Sequence, residues 1–207
     1  MTSEQEKKIA YIRSVLPQYE DPKRLEHTMG VYRECEWLAG LFGLSDDDRF
    51  SICAAGLLHD ITKRFTDDES IEYCRERGIM LPEDLTSVFH QYTGAPFARE
   101  TFGSEIVNDD VYSAILCHTT GKANMSLIDK ILFVSDFTES GRKYRSCVET
   151  REYLHRESEK INKNDKTAMS RLLDDITRHI IGFTMTYLIE KGRKMDASMT
   201  LAWNSLV

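Results

Sequence analysis

Residues 50–63 constrain this chain more than any other stretch. Phe50, Ile52, Cys53, Ala54, Ala55, Leu57 and Leu58 give an apolar surface wide enough to bury most of a helix. That surface runs without a break into His59-Asp60-Ile61-Thr62-Lys63. Upstream, Ser45 and the acids Asp46 to Asp48 supply a capping hydroxyl and negative charge where a helix start leaves N–H groups unsatisfied. A mostly buried helix therefore delivers His59 and Asp60 at its end, about 100° apart around the axis. Lys63 lies one turn further on. The pair reads either as a core histidine beside a surface aspartate, or as two ligands of different hardness for one metal ion.

The rest of the chain repeats the helical pattern. Ile9, Ile12, Val15 and Leu16 have helical spacing, stopped by Pro17. Asp21-Pro22 restarts the chain as N-cap and first helical residue, and the helix runs to Gly43. His27 lies in its first turns, with Arg24 three residues earlier; a solvated side chain is the alternative reading of this histidine. An exposed amphipathic helix is expected over Asp67–Arg77, another from Pro82 to His90, a turn at Gly94 and Pro96, and a short helix from Ala95 to Phe102. His90 would then end a helix, where it caps carbonyls or reaches a ligand.

Asn108 to Asp110 opens the next helix, and His118-Thr119-Thr120-Gly121 ends it with hydroxyls and exposed backbone that suit a phosphate oxygen. Ser126 and Asp129 cap a helix in which Asp136 follows Ile131-Leu132-Phe133-Val134. A carboxylate beside such a run costs several kcal/mol unless it is compensated, either by a metal or by an arginine such as Arg142. Residues 148–163 are polar and read as a solvated helix face or a mobile arm, with His155 at the surface. Asp165 caps a last long helix whose buried stripe runs from Leu172 to Ile189, with His179 packed or at its rim. No alternating strand pattern appears, so the fold class is all-α. The 207 residues suit one domain, with a core at about 18–145 and a helical extension over 148–207.

Charged residues make up 29% of the chain and hydrophobic ones 41%, the balance of a soluble globular protein. A net charge of -7 argues against nucleic-acid binding, though not against an anionic substrate held by a metal and a few cations. The polar N-terminus and the lack of a long apolar run predict a cytoplasmic protein with no membrane contact. Cys35, Cys53, Cys74, Cys117 and Cys147 are odd in number and widely spread, as expected of reduced thiols.

Collected, His27, His59-Asp60, His90, His118 and Asp136 each sit on or end a separate helix. Nitrogen and carboxylate ligands without thiolates suit iron, manganese or zinc in a hydrolytic site. Arg24, Lys63, Arg142 and Arg145 are the cations near enough in sequence to neutralise phosphate.

Arg24-Leu-Glu-His27, Leu58-His59-Asp60-Ile61-Thr62-Lys63, His90-Gln-Tyr-Thr-Gly-Ala, Ala114-Ile-Leu-Cys-His118-Thr-Thr-Gly121 and Val134-Ser-Asp136…Arg142 together resemble the HD-domain metal phosphohydrolases. More narrowly they resemble the YqeK family of symmetrical bis(5'-nucleosyl)-tetraphosphatases, over about residues 10–145. The resemblance implies an HD-domain helical bundle. It implies that His27, His59, Asp60 and Asp136 hold a divalent ion, expected to be iron with manganese or zinc as alternatives. It implies also that Arg24, Lys63, His90, His118, Thr119 and Arg142 face the phosphates of a nucleotide. The implied reaction is cleavage of diadenosine tetraphosphate to two ADP by metal-bound hydroxide, with Asp60, His118 and Lys63 in catalytic roles. His90 and His118 are alternatively ligands of a second ion.

The chain departs from the family pattern at Ser135 (usually Ala), at Ser140-Gly141 (usually with a proline), at Asp196-Ala197 (usually His-Pro) and at Trp203 (usually Arg). The competing readings are a mononucleotidase or phosphodiesterase, and a nucleotide sensor without turnover. The expected partner is a small-molecule nucleotide, with homodimerisation left open.

Overall fold

The structure, a computed structural model, describes residues 1–162 and 165–207. Among these residues there are ten α-helices and no strand. In chain order they are α1 (Ser3–Val15), α2 (Pro22–Phe42), α3 (Asp46–Leu58), α4 (Asp67–Glu76) and α5 (Phe89–Phe102). The second half holds α6 (Asp109–Cys117), α7 (Leu127–Thr138), α8 (Arg145–Lys160), α9 (Lys166–Glu190) and α10 (Ala197–Leu206). The caps read from sequence are made: Asp21 accepts from the Arg24 amide, Ser45 from that of Asp48, and Ser126 and Asp129 form a reciprocal box. Each stabilises its helix by about 1 kcal/mol.

α3 is the centre, packed on by α1, α2, α6 and α7. Every residue from Phe50 to Leu58 is buried. The approach of α2 depends on Gly56, where a Cβ would stand 3.1 Å from Cys35 Sγ and 3.4 Å from the Tyr32 Cα. A larger residue there would push the two helices apart. That closeness brings His27 on α2 to His59 at the end of α3, ring centroids 5.4 Å apart.

The segment 82–103 differs from the sequence reading. Residues 82–85 form a turn and Thr86–Val88 one 3₁₀ turn, after which α5 runs unbroken through Gly94 and Pro96. His90 therefore stands at the start of a helix, not at its end. Tertiary packing overrides the local breakers: Phe89 to Gln91, Thr93 to Ala95 and Ala98 are all buried. A Cβ at Gly94 would lie 3.5 Å from the His59 carbonyl oxygen, so the glycine marks close approach of α5 rather than a turn. The Thr62 hydroxyl donates to the His90 carbonyl and pairs with Thr93, fixing this end of α5 against the His-Asp segment.

The polar stretch 148–163 falls on α8, which buries Cys147, Thr150, Leu154 and Ser158; its last residue, Lys163, lies outside the described residues. His155 is half-buried rather than free at the surface, stacked on Trp37 at 4.1 Å. The stripe on α9 is buried only as far as Ile181, and Ile189 is 65% exposed. His179 is exposed too. α10, which the sequence pattern did not separate, packs on α9. All five cysteines are buried and unpaired. No helix among the described residues is long and apolar enough to cross a membrane.

Candidate metal centre and phosphate site

Five elements converge on one point. The first two turns of α2 carry Arg24 and His27, and the end of α3 carries His59 and Asp60 with Lys63 in the following turn. α5 begins with His90, α6 ends with His118 and Thr119, and α7 brings Asp136 near its C-terminus.

The histidine rings are oriented by their outer nitrogens. His59 Nδ1–H donates to the Gly56 carbonyl at 2.9 Å, and His118 Nδ1–H donates to the Ile115 carbonyl at 2.7 Å. His27 Nδ1 faces Glu139 Oε1 at 3.2 Å. With Nδ1 occupied, each ring offers Nε2 to the centre, which is how a backbone or carboxylate partner fixes the ligating tautomer.

A divalent ion fits the residues that meet here. His27, His59 and Asp60 each present one ligand atom, all within 4.8 Å of one another. Asp136 Oδ1 lies 3.1 Å from His27 Nε2 and 3.9 Å from His59 Nε2. His59 Nε2 and Asp60 Oδ1 are buried without a hydrogen-bond partner. Buried polar atoms are rarely left so, and lone pairs converging on one point are what a cation satisfies. A second trio, Asp60, His90 and His118, meets the same criterion, with Asp60 Oδ1 at 3.5 and 3.6 Å from the two Nε2 atoms.

The charges are arranged against the cost of burial. Burial raises the Asp60 carboxyl, but the surrounding imidazoles and the Lys63 ammonium hold it well below the usual carboxylate range. Arg24 donates to its Oδ2 at 2.6 Å. Asp136 is likewise opposed by burial and held low by Arg142, whose Nη2 donates to Oδ1 at 2.5 Å. Both compensations considered for Asp136 are thus geometrically present: the arginine on one side, the ligand cluster on the other. Burial depresses His59 to about 4, so its Nε2 carries a lone pair at neutral pH. Burial and the Lys63 ammonium push His90 well down also. His27 differs: burial would lower it, but Asp136 and Glu139 raise it to about 9. A proton on His27 therefore competes with an ion for the same side chain.

Around this core, Lys63 Nζ sits 2.9 Å from His90 Nε2, and Thr119 Oγ1 is also 2.9 Å from it. The structure thus gathers Arg24, His27, His59, Asp60, Lys63, His90, His118, Thr119, Asp136 and Arg142. It does not bring in Arg145, whose exposed guanidinium pairs with Glu149.

Several supporting contacts escaped the sequence reading. Glu139 is buried against His27 and accepts from the Gly141 amide at 2.5 Å; it sat in an ordinary helix-ending stretch with nothing to mark it. Gln91 accepts from the Thr119 amide and donates to Thr120, holding the turn after His118. Ser198 at the start of α10 reaches the same Thr120 at 2.9 Å, and Asp196 takes the Tyr92 hydroxyl. The divergent C-terminal segment therefore buttresses the turn from behind.

The HD domain family matches residues 24–141. The chain is 29% identical to a symmetrical bis(5'-nucleosyl)-tetraphosphatase of Halalkalibacterium halodurans over 89% of both chains. It is 27% identical to the protein of that name in Bacillus subtilis, again over 89% of both. The crystal structure of a protein from Clostridium acetobutylicum described as a predicted HD superfamily hydrolase involved in NAD metabolism superposes with a TM-score of 0.77 at 26% identity, covering 95% of each chain. The family match spans more than half of the chain and contains every residue of the histidine–aspartate cluster, and the chain belongs to the HD domain family.

Proposed function

We propose that the chain is a metal-dependent phosphohydrolase that cleaves diadenosine tetraphosphate symmetrically into two ADP. One observation carries the reading: unpartnered ligand atoms of His59 and Asp60 stand inside a ring of cations, Arg24, Lys63 and Arg142. Relatives that match the chain over most of its length carry the tetraphosphatase name, which supports the substrate. His27, His59, Asp60 and Asp136 hold the ion, and iron is our assignment over manganese or zinc. When bound, the ion supplies a Lewis acid and a water acidified to near neutrality.

The remaining work falls to side chains. Arg24, Lys63 and Arg142 grip phosphate oxygens with charge-assisted hydrogen bonds, and Lys63 Nζ neutralises charge on the oxygens of the attacked phosphate in the transition state. His90 and the Thr119 hydroxyl orient the phosphate next to it. Asp60 Oδ1 would hold the ion, and its ionised carboxylate balances charge at the centre. In its doubly protonated form His118, whose Nδ1–H is committed to Ile115, donates from Nε2 to the leaving phosphate oxygen. We read the chain as one HD domain, with α8 to α10 as a helical extension that supports the His118 turn.

Chromatography of the products after limited turnover tests this. ADP as sole product is expected. ATP with AMP, or free phosphate, overturns the symmetric cut, and an absence of turnover with metal supplied overturns the enzyme reading.

A further inference from the structure

A cavity lies beside the cluster, and its outer part lies beyond the residues assigned so far. Its volume of 770 Å³ falls within the range of ligand clefts, about 300–1,000 Å³. Arg24, His27 and Arg142 line it, which makes it continuous with the metal centre; Lys63, His90, His118 and Thr119 do not. The centre thus has two sides, one buried and histidine-rich, the other open.

The open side is basic in an acidic chain. Lys23, Arg33 and Lys143 join the two arginines around it, against three carboxylates. Two of those carboxylates are engaged: Asp21 caps α2, and Glu139 holds His27 and the Gly141 amide. Arg24 and Arg142 face Asp60 and Asp136. Lys23 and Arg33 make no ion pair among the described residues, and Lys143 Nζ donates only to the Ser140 carbonyl. Three cations without an ion pair, against the carboxylates of Asp21 and Glu26, leave this cleft locally positive in a protein of net charge -7. Tyr144 stands at the same rim, 75% exposed, and its hydroxyl makes no hydrogen bond among the described residues. Cations that track phosphates beside an open aromatic ring are the two elements by which proteins hold nucleotides without reading their sequence.

We propose that this cleft seats the second half of a two-ended nucleotide. Lys23, Arg33 and Lys143 neutralise the phosphates of the half that departs, and its base stacks on Tyr144. The proposal rests on the dinucleoside polyphosphate reading above and adds to it why a substrate with a nucleoside at each end is preferred to a mononucleotide. A mononucleotide engages the centre with one phosphate chain; the outer cleft adds affinity only for a ligand long enough to reach beyond it.

Calorimetric titration of the metal-loaded enzyme tests it without turnover. The two probes are ADP and the tetraphosphate analogue whose central bridging oxygen is replaced by methylene. Wild-type enzyme should bind the analogue at least tenfold more tightly than ADP. In the double variant Arg33→Ala/Lys143→Ala the analogue should lose at least tenfold while ADP stays within about twofold. Tyr144→Ala should weaken the analogue severalfold, and Tyr144→Phe, which keeps the ring, should restore it. The proposal is overturned if wild-type enzyme binds the analogue no better than ADP, if the double variant binds it normally, or if both probes weaken equally. Failure of the wider reading would show elsewhere, as the wrong products from authentic substrate.

Discussion

Glu139 Oε1 stands 3.2 Å from His27 Nδ1, and the same carboxylate fills the space that a side chain at Gly30 would need. A Cβ built on Gly30 would collide with Glu139 Oε2 and lie 3.0 Å from its carboxyl carbon. The absence of a side chain one turn beyond His27 is therefore part of how that histidine is aimed. Arg151 ties down the same corner by donating to the Glu139 carbonyl at 2.7 Å.

Removing the Glu139 charge should loosen the ion without unfolding the chain. Outer partners of ligating histidines are worth about 10- to 100-fold in metal affinity, and Glu139→Gln is expected within that range. Gly30→Ala should act in the same direction by displacing the carboxylate. Competition with a chromophoric chelator measures both. Wild-type affinity in Glu139→Gln would show that the backbone alone orients His27.

The ion itself depends on the four proposed ligands. His59→Ala removes a buried imidazole whose Nε2 has no other partner, and elemental analysis of that variant should find no stoichiometric metal. Asp136→Ala should do the same and also leaves Arg142 without its carboxylate. Helical circular dichroism should persist in each, because the α3 and α7 cores do not include these side chains. Stoichiometric metal in purified His59→Ala would refute the ligand assignment.

Much of this arrangement is legible in the sequence, for identifiable reasons. α2, α3 and α7 begin at capping residues and carry long apolar faces, so their bounds follow from local chemistry. His59 and Asp60 are fixed by adjacency to the most buried run in the chain. The failures have one cause: tertiary contact outweighing local preference. Gly94 and Pro96 look like a turn but pack inside α5, because α5 leans on Thr62 and the His59 carbonyl. His155 and Trp37 are 118 positions apart, and no periodicity announces their stacking. Glu139 and Gln91 act through partners distant in the chain, and neither residue type nor spacing distinguishes them from ordinary surface polar groups.

Lys63 separates substrate binding from metal binding. Its ammonium lies 3.8 Å from Asp60 Oδ1, close enough to feel the site yet outside the proposed ligand set. Burial lowers its pKa and Asp60 opposes that shift. A charge-assisted hydrogen bond to phosphate is worth about 1.5–3 kcal/mol. Lys63→Ala should therefore lower kcat/KM about 10- to 100-fold at unchanged metal content. Steady-state kinetics paired with elemental analysis reads both, and wild-type kinetics would remove Lys63 from the phosphate site.

The last prediction follows from the proton on His27. Burial alone would depress this imidazole, but Asp136 and Glu139 raise it to about 9, against 6.5 for the unperturbed group. At pH 7.5 the folded metal-free protein therefore keeps a proton there that the unfolded chain has largely lost. A raised native pKa contributes stability that is complete below about 6.5 and disappears as pH climbs through about 9. The thermal midpoint of chelator-stripped protein should fall across that window. Glu20, pushed up to about 7 by burial, adds a decline of the same sign between 4.5 and 7. His59, depressed to about 4, opposes it between 4 and 6.5, so the window above 6.5 belongs mainly to His27. Binding of an ion at His27 Nε2 must expel the proton, because a ligating imidazole is neutral. Titration of metal into stripped protein at pH 7.5, in buffers of differing ionisation enthalpy, should report about one proton released per ion. His27→Gln should remove that release and flatten the midpoint between pH 6.5 and 9. Release unchanged in His27→Gln would mean that the expelled proton belongs to another group.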